Sequence, residues 1–525
     1  AISVYSFGDS LAKVNVSIAG GDFESKAIAY GFANGKENDS KPTIAVSGGT
    51  FVEDSVEEYL VEGYTLKHNG NGTYGLTVDP EQDVFEAAVN DVGYTTLQKA
   101  IEAAKNGGTV TVLRDITLSA SIEIAEGMDV TIEGSGKTIT GAEGADVFYV
   151  KGGKLTLGEG LNLHAPTDCC VYIHGGEVVT AANMTKAGTN YSVIQGNGNY
   201  SGNVTITGGT ITNQIVDGCA IYWPQDGKLT IEDGTITGGT AVRLNSGSLE
   251  ISGGKLIANG TKKAYVTADG SSSFDDTGDA LMIDNVGGAT GYEEISQVVI
   301  TGGTFTSKNA AAVGSYTAGN AGVEAKTGFI TGGTYSDNSA LAYLATGYTL
   351  ESYTDSTGKI VYGVEPTYTV SFTLPEGATV VVKNAAGQTI AANAAGKYEL
   401  TDGNYTFTVS KENYVDKSAS FTVNGANQEI VITLDALEIV THTVTYKADG
   451  EVVAQMQVAH GGDATAPAVP AKAGYTGAWN HDGKGIVADT EIVAVYTKNA
   501  TGGEGGTPVT GEESNSGLWL GILLA

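Results

Sequence analysis

The chain is poor in positive charge. Its 525 residues hold 28 lysines and arginines against 60 aspartates and glutamates, so the formal net charge is −32. Only two of the basic residues are arginines, Arg114 and Arg243, and the sequence has no basic block. A surface of this kind repels polyanions, so neither nucleic acid nor an anionic membrane is expected as a partner.

Cysteine is also scarce. Cys169, Cys170 and Cys219 form an odd set without the spacing of a metal site, which excludes a disulfide-stapled scaffold and a cysteine-type zinc site. The sequence begins at Ala1 within a strand-like pattern, without an initiator Met or a charged-then-apolar leader. We therefore expect a truncated N-terminus, with any export signal upstream of it.

Glycine, in contrast, is abundant, with 75 residues and no collagen period. Many glycines belong to one recurring phrase, in which an aliphatic and a polar residue precede Gly-Gly-Thr and an apolar residue. The clearest copies are Val46-Ser-Gly-Gly-Thr-Phe51, Ile206-Thr-Gly-Gly-Thr-Ile211, Ile300-Thr-Gly-Gly-Thr-Phe305 and Ile330-Thr-Gly-Gly-Thr-Tyr335. With looser copies included, the phrase starts at Ile206, Ile231, Ile251, Ile300 and Ile330, so its spacing is irregular. A fixed corner between insertions of variable length predicts an all-β solenoid of stacked coils.

Short strand-like runs recur in pairs between the corners, such as residues 147–150 with 154–157 and residues 220–223 with 228–231. Alternating side chains point inward, so Val, Ile and Leu are expected to build the core one layer per coil. The connectors within pairs range from three residues to more than ten. We expect the long connectors to bulge from one side, where a binding face lies.

The coil pattern also places the cysteines. Aligning Asp168-Cys-Cys-Val171 with Asp217-Gly-Cys-Ala220 predicts that Cys170 and Cys219 occupy equivalent positions two coils apart. Their Cα atoms would be about 10 Å apart, because stacked strands are about 4.8 Å apart. This separation is too large for a disulfide, so buried, unpaired thiols are predicted.

The chain carries one module-closing element twice. The string Gly48-Gly-Thr-Phe51, Tyr59-Leu60 and Gly63-Tyr-Thr-Leu66 returns with the same internal spacing as Gly332-Gly-Thr-Tyr335, Tyr343-Leu344 and Gly347-Tyr-Thr-Leu350. Residues 1–80 are therefore interpreted as the end of one solenoid module and residues 81–366 as a second.

The second module opens with a predicted amphipathic helix that caps the stack. Its apolar face consists of Leu97, Ala100, Ile101 and Ala104. Thr95 or Thr96 is expected to begin the helix and Gly107 to end it.

The pattern changes after Pro366. Residues 367–438 contain several short alternating strands and predict a small β-sandwich. Residues 439–498 form a second small β-rich unit with two aromatic strands, at 444–446 and 493–496. Residues 499–525 combine a glycine-rich linker with a short apolar end.

Three of these features resemble known families. The capping helix and Gly-Gly-Thr coils of residues 94–366 resemble the right-handed parallel β-helix (pectin-lyase-like) of bacterial surface proteins. The stretch Leu374-Pro-Glu-Gly-Ala378 resembles the Pro-Glu-Gly-Ala repeat domain. Residues 443–497 resemble the β-grasp-like repeat of listerial and bacteroidal surface proteins, through positions that include Gly461, Pro467, Pro470, Gly474-Tyr475, Gly477, Trp479, Asp489-Thr490 and Ala494-Val-Tyr496.

The C-terminal segment resembles a sortase sorting signal, with Pro508-Val-Thr-Gly511, a polar spacer and an apolar run over residues 518–525. The resemblance implies cleavage between Thr510 and Gly511 and attachment of Thr510 to cell-wall peptidoglycan. Thr507 stands where the family has Leu, and the apolar run is shorter than the roughly 20 residues that span a bilayer. We expect truncation to account for the short run; a chance Pro-x-Thr-Gly in a linker is the alternative.

Candidate ligand-binding residues are Tyr222, Trp223 and Arg243. Aromatic side chains on an exposed coil stack on sugar rings, although Trp223 could equally cover a loop. A polysaccharide lyase would need a base such as Arg243, with carboxylates such as Asp217, Asp226 or Asp233 nearby. A hydrolase would need paired carboxylates, for example Asp217 with Glu250 or Asp233.

Acidic residues at 275, 276 and 279, with Asp284 nearby, form the candidate calcium site. Asp275, Asp276 and Asp279 supply the oxygen ligands that Ca²⁺ prefers, but an acidic loop without metal has the same composition. His164 and His174 are interpreted as packed or exposed residues rather than as ligands. No other cofactor is expected.

These observations together predict an extracellular, cell-wall-anchored surface protein of a Gram-positive bacterium. The expected function is non-catalytic adhesion, or binding of a glycan or host ligand, by a monomeric β-helix on a stalk of two small β domains. The alternative is a β-helix polysaccharide lyase or glycoside hydrolase, which requires carboxylates and a basic residue to converge on one face.

Overall fold

The structure is a computed structural model. It describes residues 2–6, 15–24, 28–32, 43–79, 84–134, 136–188, 192–266, 276–287, 292–317 and 322–500. The protein is all-β, with 52% strand and 5% helix, and its long sheets are parallel. The chain divides into two compact units: residues up to 371 with 391–404 and 422–429, and residues 372–390 and 405–421 with those from 430 onward.

The coil region, residues 106–335, is built from three parallel sheets. Sheet I contains Asn106–Val112, Asp129–Glu133, Lys154–Leu157, Gly175–Thr180, the first parts of Ser201–Asn213 and Lys228–Gly238, Gly247–Ile251 and Ile295–Ile300. Sheet II contains Ile116–Thr117, Thr138–Thr140, Asn162–Ala165, Asn183–Lys186, the remainders of those two long strands, Lys255–Ala258, Thr304–Ser307 and Thr334–Tyr335. Sheet III contains Ile122–Ile124, Phe148–Val150, Val171–Ile173, Ile194–Gln195, Ile221–Trp223, Val242–Leu244, Leu281–Asn285 and Val313–Thr317.

Each turn of the chain adds one strand to each sheet. A strand bonds to the strand one coil away, as Phe148 does to Val171, rather than to its neighbour in sequence. The sequence predicted two strands per coil, and the short strands of sheet II are the third. Inward residues of all three sheets form one continuous buried core, in which each fully buried Val, Ile or Leu contributes about 1.5–3 kcal/mol.

The Gly-Gly-Thr phrase forms the corner between sheets I and II, and its two glycines are required for different reasons. A Cβ on the first glycine would lie 2.1–2.3 Å from a backbone oxygen of the preceding coil, at Gly48, Gly253, Gly302 and Gly332. The second glycine has a positive φ of +74° to +121°, at Gly49, Gly209, Gly254, Gly303 and Gly333. At the first glycine there is no space for a side chain. At the second, the positive φ disfavours any residue other than glycine.

Two corners have room at the first glycine. A Cβ on Gly208 would meet only Ala181, whose Cβ would lie at an ordinary 3.6 Å, and a Cβ on Gly20, in the looser copy at residues 18–23, would meet nothing within 4 Å. In the coil after Gly208, Asp233 stands at the first glycine position, while Gly234 keeps a positive φ of +102°.

The predicted capping helix is confirmed. It spans Leu97–Ala104, begins at Thr96, whose hydroxyl accepts the amide of Lys99, and buries all four predicted apolar residues. Gly107 follows it with a positive φ of +89°. The hairpin of Ala87–Val89 and Val92–Tyr94 precedes the helix, and its first strand pairs with Asn106–Val112.

The two predicted closing elements are built alike. A 3₁₀ helix covers Asp54–Tyr59 in the first and Asn338–Tyr343 in the second, and antiparallel hairpins follow at Tyr64–His68 with Tyr74–Val78 and at Tyr348–Thr354 with Ile360–Pro366. The bridges Val46–Leu60 and Ile330–Leu344 also occupy corresponding places in the two elements. The first element closes coils made of Ile2–Ser6 with Ile28–Phe32 and Asn15–Phe23 with Thr43–Phe51.

The first closing element packs directly on the start of the second module. The Tyr64 ring meets Phe85 edge-on at 5.2 Å, and its hydroxyl accepts the amide of Gly93 at 3.0 Å. Tyr64, Val78, Phe85 and Ala88 form a small buried cluster at this junction.

All three cysteines are buried and unpaired, as predicted. Their predicted register is wrong by one residue. Val171 is aligned with Ile194 and Ile194 with Ile221, so Cys169, not Cys170, is equivalent to Cys219. The two aligned positions are two coils apart, as expected.

Beyond Pro366 the strands form three further sheets. In sheet order they are Tyr398–Leu400, Tyr368–Thr373 and Gln428–Val431; then Thr389–Ile390, Thr379–Lys383, Gly403–Ser410 and Lys417–Val423; and then Glu451–Ala459, Thr441–Ala448, Thr490–Lys498 and Tyr475–Trp479. The last sheet is mixed, since Thr441–Ala448 runs parallel to Thr490–Lys498. Its core includes Tyr446, packed edge-on against Trp479, whose indole donates to the carbonyl of Pro467 at 2.7 Å.

The corner geometry leads to a matched pair of variants. Gly302→Ala forces a Cβ to within 2.2 Å of the Ser252 carbonyl oxygen and should destabilise the coil region by about 1–3 kcal/mol. Gly208→Ala has room and should be neutral. Thermal unfolding of the full chain, followed by circular dichroism, measures both; equal melting temperatures for the two variants would contradict the steric account.

Candidate functional site

The outward face of sheet III carries a column of large side chains. Strand alternation directs the middle residue of each three-residue strand away from the core. In register from the first coil, this column is Glu123, Tyr149, Tyr172, Gln195, Tyr222, Arg243 and Met282. Tyrosine is its most frequent member, so the column is the natural place to look for a binding surface.

The later half of this column is covered by inserted connectors. All five residues of Leu281–Asn285 are buried, so both faces of that strand are covered. Tyr265, from one connector, donates its hydroxyl to Asp284 at 2.6 Å. Tyr292, from another, contacts the hydroxyl of Tyr222 at 3.2 Å. The described parts of the long connectors thus lie on one side, as the sequence predicted, but they hide sheet III there instead of offering a groove.

Arg243 lies beneath this cover in an ion-pair network. Its guanidinium contacts Asp284 at 3.1 Å and Asp276 at 3.4 Å, and the guanidinium carbon lies 5.3 Å from the Tyr222 centroid. Asn245 donates to the same oxygen of Asp284 at 2.9 Å. Arg243 is 7% exposed and Asp284 is fully buried, so the arginine predicted as a ligand contact or lyase base has an internal, charge-compensating role.

Trp223 is also internal, and its predicted stacking on a ligand is wrong. Its side chain is 0% exposed and belongs to the coil core. Ile221 and Trp223 share the inward face of their strand, which leaves Tyr222 outside. The alternation of the Ile-Tyr-Trp triplet is the signal that assigns these directions.

Two of the three predicted calcium ligands are engaged by other groups. Asp275 lies outside the described residues. Asp276 pairs with Arg243, and Asp279 accepts hydroxyls of Thr277 and Tyr316 at 2.6 Å each. In the described part of the chain, no three His, Cys, Asp or Glu residues are arranged to hold a metal ion.

Of the acids that the lyase and hydrolase alternatives would use, three lie at different corners. Asp217 lies between sheets II and III, Asp226 between sheets III and I, and Asp233 between sheets I and II. Asp217 accepts the amide of Thr261 at 2.8 Å, and this bond lowers the pKa of its carboxyl. Glu250 lies on sheet I, paired with Lys228. These acids therefore do not converge on one face.

Four aromatic side chains on the open half of sheet III form what we call the aromatic platform: Tyr149, Tyr172, His174 and Tyr200. The His174 and Tyr200 rings stack at 3.8 Å and 10°. Tyr172 lies 4.8 Å from His174 and 5.8 Å from Tyr149. Tyr200, at 46% exposed, is the outermost member.

Backbone register and one turn hold the platform together. Tyr149 and Tyr172 are register partners on adjacent coils, and His174 follows Tyr172 by two residues on the same outward side. Tyr200 comes from a turn in which its amide bonds to the carbonyl of Asn197. The amide group of Asn197 donates to the hydroxyl of Tyr172 at 3.2 Å, which ties the turn to the sheet.

His174 is held in its neutral form. Burial, and then the nearby charge of Lys151, lower the pKa of its imidazole. The hydroxyl of Tyr149 lies 2.8 Å from Nδ1, and which of the two donates depends on the tautomer of the ring. A neutral ring stacks on Tyr200 without the desolvation cost of a charge. This site was not among the predicted binding residues, although the apolar-Tyr-apolar triplets at Phe148–Val150 and Val171–Ile173 indicate outward tyrosines on adjacent coils.

A cavity of about 280 Å³ lies beside the platform. Its lining, which we call the carboxylate pocket, consists of Ser121, Gly144, Ala145, Asp146, Asp168 and Tyr172. Asp146 accepts the amide of Cys169 at 3.0 Å, and burial raises the pKa of its carboxyl. Asp168 accepts the hydroxyl of Thr167 at 2.9 Å. Since Tyr172 belongs to both features, platform and pocket form one continuous surface.

The lowered pKa of His174 predicts a pH dependence. Stability should be complete above the unfolded-state pKa of about 6.5 and should decline as the pH falls below it, because the unfolded state binds the proton more tightly. His174→Gln keeps an acceptor for Tyr149 but cannot become charged. Its melting temperature should fall less than that of the wild type between pH 7.5 and 5; parallel curves would refute a half-buried His174 that stays neutral.

The network around Arg243 predicts a large difference between two charge deletions. Arg243→Ala leaves Asp284 buried without its cation and should cost about 3–5 kcal/mol. Lys228→Ala removes one member of an exposed pair with Glu250 and should cost about 0–1 kcal/mol. Thermal melts of both variants give the comparison, and a small effect of Arg243→Ala would show that the network is solvated.

Comparison with known proteins gives the chain no family. No protein-family model matches it, and no curated protein matches it significantly. In the part of the chain that the structure describes, no helix has the length and apolar character needed to cross a membrane. The function is therefore inferred from the geometry of the coil region.

Proposed function

We propose that the protein is a cell-surface protein whose coil region binds a glycan on the aromatic platform without cleaving it. The observation that carries the proposal is the group of Tyr149, Tyr172, His174 and Tyr200 on the open half of sheet III. Aromatic faces pack on the C–H faces of sugar rings, and their polar edges bond to sugar hydroxyls. The rings of the platform already contact one another without a ligand, which limits the entropy lost on binding.

The surrounding architecture fits this role. The three parallel sheets support a pectin-lyase-like β-helix, and we take its hand as right because parallel crossover connections are right-handed in about 98% of cases. The sheets after Pro366 would serve as a stalk of a sandwich and a β-grasp-like unit. The net charge of −32 suits a solvated, exposed protein.

Anchoring to the Gram-positive cell wall completes the proposal. It rests on the sorting-signal resemblance at Thr510 and Gly511, which lie outside the described residues. In this arrangement peptidoglycan would be the covalent partner of Thr510, and the coil region would be the part presented to the surroundings.

A glycoside hydrolase is the second candidate, and one observation favours it. Asp146 and Asp168 line the same cavity, and burial raises the pKa of Asp146, as expected for a general acid. Against it, Asp146 accepts the amide of the next coil, as Asp279 also does, which is a structural role at a corner. The lyase alternative loses its candidate base, because Arg243 is ion-paired under the connectors.

A glycan-array screen of the full chain, combined with an assay for new reducing ends and unsaturated products, tests the proposal. Tyr200→Ala should weaken binding about two- to tenfold, the value of one aromatic contact. Tyr353→Ala removes a tyrosine of similar exposure, 48%, from the closing hairpin and should leave binding unchanged.

Binding without product, weakened only by Tyr200→Ala, supports the proposal. Release of product favours the hydrolase and directs the next substitutions to Asp146 and Asp168. If neither binding nor product is found on a broad panel, glycan recognition by the platform is wrong.

A further inference from the structure

The charged residues that line the carboxylate pocket are all acidic. Two of its six lining residues are aspartates, and none is a lysine or arginine. The nearest cation below it, Lys186, is fully buried and donates to the carbonyl oxygens of Thr167 and Gly188. Its charge acts on both Asp146 and Asp168, but its ammonium is held by these carbonyls and Lys186 is not among the residues that line the pocket.

The second nearby cation is also engaged. Lys151 lies 5.2 Å from the Tyr149 centroid and pairs with Glu123 at 2.7 Å. It follows the strand Phe148–Val150, whereas Asp146 precedes that strand. An anionic sugar, such as a uronate, would meet two carboxylates with no accessible partner. A cationic group would gain charge-assisted hydrogen bonds from the same oxygens, at a partly desolvated site where they are strong.

Size and position favour a sugar over a bare ion. The cavity of about 280 Å³ is at the small end of the range for small-molecule pockets, so it suits one substituted sugar residue. Tyr172 forms a wall of the pocket and part of the platform, so a ligand can place a ring on the aromatic rings and a substituent between the aspartates.

We propose that this combined surface binds a glycan carrying a free primary amine, with the ammonium group held between Asp146 and Asp168 and the sugar ring on Tyr172. The inference rests on the proposed glycan-binding function and names its ligand class. It predicts that the amine, rather than the sugar backbone alone, determines affinity.

Three tetrasaccharides test the ligand class on the full chain by titration calorimetry in 150 mM salt at pH 5.5, where the glucosamine amine is protonated: β-1,4-linked glucosamine, its fully N-acetylated form, and oligogalacturonate. The glucosamine tetramer should bind at least tenfold more tightly than the acetylated form, and the uronate should not bind. Acetylation changes only the amine, so this comparison needs no protein variant.

Asp168→Asn tests the position of the amine. The variant keeps an acceptor for Thr167 and should reduce the preference for glucosamine to about twofold or less. Glu351→Gln removes the same charge from the exposed closing hairpin and should leave the preference intact. If both variants act equally, binding is general attraction to an acidic protein, and the assignment to the pocket is overturned.

The remaining outcomes separate this inference from the function on which it rests. If the acetylated tetramer binds as well as glucosamine, and Tyr200→Ala weakens both, glycan binding stands but the amine preference is wrong. If no tetramer binds and the array is silent, both fail. If a tetralysine peptide binds as tightly as glucosamine with the same sensitivity to Asp168→Asn, the pocket recognises protein amines and the sugar assignment is overturned.

Discussion

The clearance between backbones at the Gly-Gly corner is the constraint on which the rest of the coil region depends. At Gly48, Gly253, Gly302 and Gly332 the preceding coil passes so close that only a hydrogen atom fits. At these corners the contact holds one coil in register with the one before. Inward aromatics stack directly there, as Phe305 does on Tyr335 at 4.8 Å. The outward residues of sheet III are aligned from coil to coil in the same way, and Tyr149 and Tyr172 stand on adjacent coils at one position.

Structural features that depend on a short stretch of sequence could be predicted. The corner phrase, the apolar face of Leu97–Ala104 and the closing element are local patterns whose geometry depends on a few neighbouring residues. The repetition of the closing element extends even to the bridges Val46–Leu60 and Ile330–Leu344, because matching local strings close the stack in the same way. Sheet II was not predicted as a separate sheet because its strands follow those of sheet I across a short corner, and in Ser201–Asn213 and Lys228–Gly238 one strand runs through both sheets.

The candidate site depends on contacts between residues of different coils, and these contacts were not predicted from the sequence. A one-residue error in register exchanged Cys169 and Cys170, and the direction of Trp223 was left open although its triplet alternates. The partners of Arg243 come from residues 276 and 284, in a connector and on the next coil. Tyr200 belongs to a turn and not to a strand, so the strand pattern does not predict its place in the platform. Long-range contacts of this kind follow from the fold, not from local composition.

Because connectors cover Tyr222 and Arg243, the length of the coil core and the length of its exposed binding surface are set separately. The number of coils sets the length of the core, but the inserted segments bearing Tyr265 and Tyr292 set how much of sheet III meets solvent. Shortening a connector would expose one more residue of the outward column without moving a core residue. A scaffold of constant length can in this way display recognition surfaces of different lengths, and the corners keep every rung in line.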